Sequence, residues 1–219
     1  MIKDLVVVGT GGWDVIPLIE DINSEHKQFN LIGFLEKDES KHGTELYGYP
    51  IIGGDELLLK EFKHCSVVNN VMHTTRVHEV VTNMLIEKYQ ILDFPNLIHP
   101  SVNPKYFTIG RGNIIYKGAF VGMGVKIGDF NIIERATIGH ETTLGNYNLL
   151  AACLMGSRCK VGDFNLIGNS ASIANNVRME NDNEIGTGAV LLKKIKSNRH
   201  MLGNPAIEVE EFVKKYLSK

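Results

Sequence analysis

Between residues 109 and 191 an apolar residue returns at almost every sixth position. The series is Ile109, Ile115, Val121, Ile127, Ile133, Ile138, Leu144, Leu150, Met155, Val161, Ile167, Ile173, Met179, Ile185 and Leu191. Every step is six residues except two of five, 133–138 and 150–155, and glycine follows nine of the fifteen positions. A β-sandwich of short strands would place turns every ~8–12 residues and gives no reason for such a rhythm. Hexapeptide repetition means a parallel β-helix whose coils stack only on their neighbours. The periodic residue is expected to point into a narrow core. The glycine after it is expected to serve the corner, where positive φ costs a glycine least.

The first 95 residues follow a different rule. "LVVV" (5–8) is a β-branched run ending in the turn "GTGG", and Val15, Leu18, Ile19 and Ile22 then fall on one helical face. Pro17 sits in that helix's first turn, where its missing N–H costs little. "FNLIGFLE" (29–36) and "SVVNNVM" (66–72) read as further strands, and a helix is expected from about Thr75 to Tyr89. Strand–helix alternation of this kind predicts a small parallel α/β sheet of Rossmann type. The expected division is 1–95 for this domain, 96–207 for the β-helix and 208–219 for a C-terminal helix. Val209, Phe212, Val213 and Tyr216 share one face of that helix, which is expected to cover the solenoid's open end.

Composition narrows the classes of partner. The formal charge is -2 with no basic run, so no nucleic-acid footprint is indicated. No apolar run approaches the ~20 residues that span a bilayer, and "MIKDLVVVGTGG" does not read as a signal peptide. Cys65, Cys153 and Cys159 are odd in number and lack CxxC spacing, which fits reduced structural thiols in a cytosolic protein. His73 and His78 lack a third candidate ligand nearby, so no metal site is expected.

One stretch interrupts the monotony. "ATIGHETTLGNY" (136–147) carries a His-Glu pair at 140 and 141 within the repeat. Taken alone, the histidine could simply be a surface residue at a solenoid turn. A neutral imidazole is also suited to removing a proton near neutral pH, and a carboxylate on its other nitrogen would fix the tautomer. Neighbours on a straight strand point to opposite faces, so such pairing needs a corner near His140. Gly139 and the five-residue step before it are expected to supply the bend.

The order of motifs carries a resemblance over nearly the whole chain. A short α/β domain, the linker "NLIHPS" (96–101), a hexapeptide solenoid with "IGHE" (138–141) and the ending "GNPA" (203–206) are similar to one bacterial family. It comprises sialic-acid O-acetyltransferases and nucleotide-amino-sugar N-acetyltransferases. The resemblance implies a left-handed β-helix with three hexapeptides per triangular coil, hence four to five coils, and a homotrimer. It implies acetyl-CoA as donor and a sugar nucleotide as acceptor, bound partly by the N-terminal domain. The setting it implies is bacterial surface-glycan synthesis.

Residue by residue, it makes His140 the general base and Glu141 the group that raises its basicity. A backbone N–H near Gly156 or Ser157 would stabilise the oxyanion. Coenzyme contacts fall near Leu149, Asn169 and Thr187, and Lys193 or Lys194 would meet its phosphates. On the acceptor side, Gly11, Gly12 and Trp13 occupy the glycine-rich turn, where free N–H groups bind phosphate. Trp13 either stacks on a ring or packs under the turn. Glu36, with Lys37 beside it, sits where an acidic residue holds a ribose hydroxyl. His99 in the linker is expected to cap the first coil.

There are departures too. Asp14 stands where GxGxxG needs its third glycine, so NAD is not expected. Ile133 stands seven residues before His140, where members carry asparagine, and Leu149 where some carry histidine. These departures feed the competing reading of a non-catalytic trimeric scaffold or binding protein.

Overall fold

The computed structural model describes residues 2–12 and 14–217, with the side chains of Tyr216 and Leu217 outside the description. The chain divides into two compact units, Met1–Pro100 and Ser101–Lys219.

In the first unit β1 (Lys3–Val8), α1 (Val15–Glu25) and β2 (Phe29–Leu35) form a βαβ unit, with β1 and β2 parallel. A hairpin of β3 (Glu45–Leu46) and β4 (Tyr49–Gly53) follows, then β5 (Ser66–Asn69) and α2 (Thr75–Glu87). The sheet order is β3-β4-β2-β1-β5, and only β3 runs antiparallel, against β4. The apolar face of α1 buries Val15, Ile16, Leu18, Ile19 and Ile22. The hairpin was not anticipated from sequence. Its signal is Tyr47-Gly48, the two central turn residues, both at positive φ (49° and 85°), as tight hairpins favour.

His99 belongs to this unit. Its Nε2 lies 3.0 Å from Asp21 Oδ2 on α1, so it anchors the 96–100 segment to the helix. His78 is buried on α2 with Nδ1 2.9 Å from the Val71 carbonyl, and burial holds its pKa below the ordinary value.

The second unit is a parallel β-helix with three faces. The first face stacks Ile114–Ile115, Ile132–Glu134, Leu149–Ala151, Leu166–Ile167, Glu184–Ile185 and His200–Leu202. The second stacks Phe120–Val121, Thr137–Ile138, Leu154–Met155, Ser172–Ile173 and Val190–Leu191. The third stacks Thr108–Ile109, Lys126–Ile127, Thr143–Leu144, Lys160–Val161 and Arg178–Met179. Thirteen of the fifteen periodic residues are buried. Ile109 and Val121 are half-buried, because each begins its face and has a coil on one side only within the unit. Cys153 and Cys159 are buried free thiols, and burial pushes Cys153 up to about 12.

The glycines play a different part from the one expected. Positive φ falls three residues after the periodic residue, at Gly112, Gly124, Phe130, Glu141 and Tyr147 among others, and two after it in the short steps, at Arg135 and Ala152. The glycine directly after the periodic residue faces the next coil instead. A Cβ on Gly139 would lie 2.5 Å from Ser157 N and 2.6 Å from the Gly156 carbonyl carbon. Close backbone approach, not a left-handed corner, selects glycine there.

Every third corner is held by a second device, a column of buried asparagines at 113, 131, 148, 165 and 183, each 0–2% exposed. The N–H and Nδ2 of each asparagine after the first donate to Oδ1 of the one before, as Asn148 does to Asn131 at 2.9 and 3.0 Å. Beside it Phe130, Tyr147 and Phe164 stack with centroids 5.3 Å apart.

At the far end Ile207–Glu208 pairs antiparallel with Met201 and Leu202, and the helix Val209–Phe212 packs on both strands. Only four residues are α-helical, and Val213–Leu217 widens into a π turn. Val209 and Phe212 are half-buried and Val213 is exposed, so the anticipated single apolar face is incomplete. Among the described residues, no helix is long and apolar enough to cross a membrane.

Asn148→Ala should destabilise this unit by about 2 kcal/mol or more, because the buried N–H and Nδ2 of Asn165 lose their acceptor. Chemical denaturation measures it; an unchanged midpoint would show the column to be dispensable.

Candidate active site

His140 stands at the corner between the second and third faces, where Thr137–Ile138 ends and Thr143–Leu144 begins. Its side chain is 53% exposed. Glu141 takes φ +58°, and this left-handed residue turns the chain so that two sequence neighbours project on one side. His140 Nδ1 lies 3.9 Å from Glu141 Oε2, an ion-pair distance rather than a hydrogen bond. Arg158, one coil on, brings Nη1 to 4.0 Å from the same oxygen. The five-residue steps do not make this bend. They shorten the preceding corner, between the first and second faces. Ile133, seven residues before His140, is fully buried core like the other periodic residues of its face. The first residue past it is Glu134, half-buried.

The backbone of the corner is pinned from both sides. Arg158 N–H donates to His140 O at 2.9 Å, and Glu141 N–H to Met123 O at 3.0 Å. A Cβ on Gly122 would lie 2.6 Å from His140 N. Thr142, fully buried, donates to Gly156 O at 3.1 Å and accepts from Cys159 N–H at 3.1 Å. Sequence reasoning passed over this threonine; its signal is the whole-coil spacing of 17 or 18 residues that puts it in one column with buried Val125, Cys159 and Val177.

The two candidate oxyanion donors are both engaged. Gly156 N–H donates to Ile173 O at 2.8 Å, within the coil-to-coil ladder. Ser157 N–H donates to Asn175 Oδ1 at 2.8 Å. The first is structural, which corrects the expectation for Gly156. The second is bonded to a side chain and not to the ladder.

The coenzyme candidates divide between corners. Lys193 stands in the same column as His140 and Ser157 and is exposed. Asn169 and Thr187, also exposed, lie at the corner between the first and second faces, and Leu149 is half-buried on the first face. The width of the second face separates the two groups within one chain.

In the first unit a cavity of about 400 Å³ opens at the carboxyl ends of the strands. It is lined by Gly11, Gly12, Glu36 and Lys37, and equally by Thr10, Asp55, Asn70 and His73. Trp13 lies outside the described residues, and Asp14 does not line the cavity. A Cβ on Gly11 would meet nothing within 4 Å. Asn70 Nδ2 clamps the turn, donating to Gly12 O at 2.9 Å and Gly9 O at 3.3 Å. Glu36 accepts from the Thr10 hydroxyl and, at 2.8 Å, from Lys37 N–H. Burial alone would raise the Glu36 pKa. The Thr10 hydroxyl, the Asp38 and Lys37 N–H groups and the Lys41 ammonium outweigh it, so the carboxyl is held below its ordinary value. Thr10, Asp55 and Asn70 went unremarked in the sequence. Their signal is that each follows a parallel strand, in "VVVGT", "IIGGD" and "VVNN". Among the described residues, no group of three or more His, Cys, Asp or Glu side chains is arranged to hold a metal.

No protein-family model matches the chain, and no curated protein matches it in sequence. Solved structures do match. The acetyltransferase domain of PglB from Neisseria gonorrhoeae FA1090, in complex with acetyl coenzyme A, is 23% identical, with a TM-score of 0.82 over 95% of this chain and 100% of that one. PerB from Caulobacter crescentus, in complex with CoA and GDP-perosamine, is 23% identical, with a TM-score of 0.80 over 95% and 98%. WeeI from Acinetobacter baumannii AYE gives 0.76 at 20% identity over 94% and 99%. The chain shares their fold.

Gly122→Ala should cost about 1–3 kcal/mol by overpacking against the His140 backbone, while leaving the core side chains untouched. Thermal unfolding checks this, and a neutral effect would mean the coils can separate locally at no cost.

Proposed function

We propose that the chain is an acetyl-CoA-dependent acetyltransferase acting on an amino or hydroxyl group of a nucleotide-activated sugar, in bacterial surface-glycan synthesis in the cytoplasm. The observation that carries this is the likeness over 95% of the chain to structures in complex with acetyl-CoA, or with CoA and GDP-perosamine. The exposed His140-Glu141 corner supports it independently. In this reading the solenoid is left-handed and the first unit is Rossmann-like.

The chemistry asked of the residues is limited. Neutral His140 takes the proton as the amine or hydroxyl attacks the thioester carbonyl, and the thiolate of CoA leaves. Glu141, closing from 3.9 Å to hydrogen-bond range, would hold the Nδ1 tautomer and stabilise the imidazolium. Ser157 N–H, released from Asn175, would receive the developing oxyanion. Gly11 and Gly12 would admit phosphates, Glu36 a ribose hydroxyl, and Lys37 would face the nucleotide's charge.

The coenzyme candidates favour a homotrimer. His140, Ser157 and Lys193 stand at one corner and Leu149, Asn169 and Thr187 beside another, so a groove using both sets draws on two copies. Phe120, Met123 and Leu154 are 60%, 66% and 55% exposed on and beside the second face, as an apolar contact surface would be. Sedimentation at micromolar concentration should give three chains per particle; a monomer would leave each half-groove open.

His140→Ala should fold normally and lose about 10²–10⁴-fold in acetyl transfer, with Glu141→Ala losing less. CoA release measured with amino-sugar nucleotides as acceptors decides it. If His140→Ala keeps more than about half the activity, the base lies elsewhere. Acetyl-CoA binding with no turnover on any acceptor would favour the scaffold reading.

A further inference from the structure

The cavity of the first unit holds two buried acceptor oxygens with no donor, Asp55 Oδ1 and Asn70 Oδ1. Asp55 is 6% exposed and Asn70 1%. A buried oxygen left unpaired is costly, and native structures keep few of them without a reason. Asn70 has a structural duty, since its amide nitrogen clamps the glycine turn. For Asp55 no such side-chain hydrogen bond is seen among the described residues, and its Oδ1 is buried without a partner. Burial raises its pKa, Lys37 and Lys88 pull it down, and Glu56 and Glu36 push it up, for a net rise. Donors brought by a ligand would stabilise its charged form.

The strand order says which part of a ligand Asp55 meets. Across the sheet the strand ends run β4, β2, β1, β5, and they present Asp55, Glu36, the turn Thr10–Gly12 and Asn70 in that order. With phosphates at the turn after β1 and a ribose at Glu36, the base falls beside Asp55. A carboxylate offers two acceptors and no donor. Adenine and cytosine present an amino group beside a ring acceptor, and the uracil N–H is flanked by two carbonyls. Guanine alone among the common bases presents two adjacent donors, N1–H and N2–H₂, with no acceptor between them. Granting a nucleotide in this cavity, as proposed above, we infer that Asp55 selects a guanine nucleotide by receiving both N–H groups of its base edge.

Titration calorimetry of the full chain with GDP, UDP, ADP and CDP tests this. GDP should bind roughly tenfold or more tighter than the others. Asp55→Asn, which presents one acceptor and one donor, should abolish that preference and leave UDP or ADP binding equal or improved. A wild-type ranking that is flat or led by another base overturns the assignment while leaving a nucleotide site standing. So does an Asp55→Asn protein that still prefers GDP. If no nucleotide binds at all, the nucleotide-sugar reading fails and this inference with it. The wild-type ranking decides the matter even if the variant does not fold.

Discussion

The solenoid depends on how closely one coil can lie on the next. Parallel strands hydrogen-bond at a separation of about 4.8 Å, and at several corners a glycine directly after the periodic residue leaves no room for a Cβ between successive backbones. Gly139 is the clearest case, since a methyl group there would press on both Gly156 and Ser157. The asparagine column satisfies at the third corner what the strands cannot. Each of Asn131, Asn148 and Asn165 gives its backbone N–H and one Nδ2 hydrogen to the Oδ1 below and accepts the same pair from above, and the other Nδ2 hydrogen goes to a carbonyl two residues back. Stacking and corner chemistry are thus one constraint, and it fixes the backbone before any side chain of the site is placed.

On the proposed reading, that constraint limits what catalysis can use. Backbone N–H groups such as Gly156's are committed to the ladder, so an oxyanion cannot borrow them without separating coils. Ser157 differs because its partner is a side chain, which can turn without disturbing a strand. The same logic explains the His-Glu pair. The left-handed residue of each corner is where direction reverses, and at this corner it is Glu141. A glutamate there costs more backbone strain than glycine, which Gly124 supplies one coil earlier. In exchange, the carboxylate projects alongside its neighbour's imidazole.

Much of this was legible in the residues, and the failures are instructive. The six-residue rhythm located the core, because burial is read directly from apolar spacing. It could not reveal why glycine follows, since a close approach and a positive φ leave the same mark on a sequence. The positive-φ places are filled as readily by Phe130, Tyr147 or Asn176, so the left-handed column was hidden by varied side chains. The asparagine column, by contrast, is plainly visible once one counts by whole coils of 17 or 18 residues instead of by six. The bend at His140 was expected for the wrong reason, because a missing residue shortens its own corner and not the next. In the first unit the strands and helices were placed well. The cavity was read only at its glycines and Glu36, since motif reasoning follows the turn after β1 and does not look along the neighbouring strand ends.

The two units therefore differ in how freely they can change. In the solenoid a position is answerable to the coils on either side of it, so a substitution at Gly122 or Asn148 propagates into backbone contacts. At the strand ends of the first unit, Thr10, Glu36, Asp55 and Asn70 project from separate turns into open volume. Asn70 and Thr10 are tied to the turn and to Glu36, whereas Asp55 Oδ1 has no partner among the described residues. Asp55, 6% exposed and lining the cavity, bears the cost of an unpaired oxygen. On the inference drawn above, a ligand's donors offset that cost, and discrimination among ligands falls to the loops of the α/β sheet and not to the repeat.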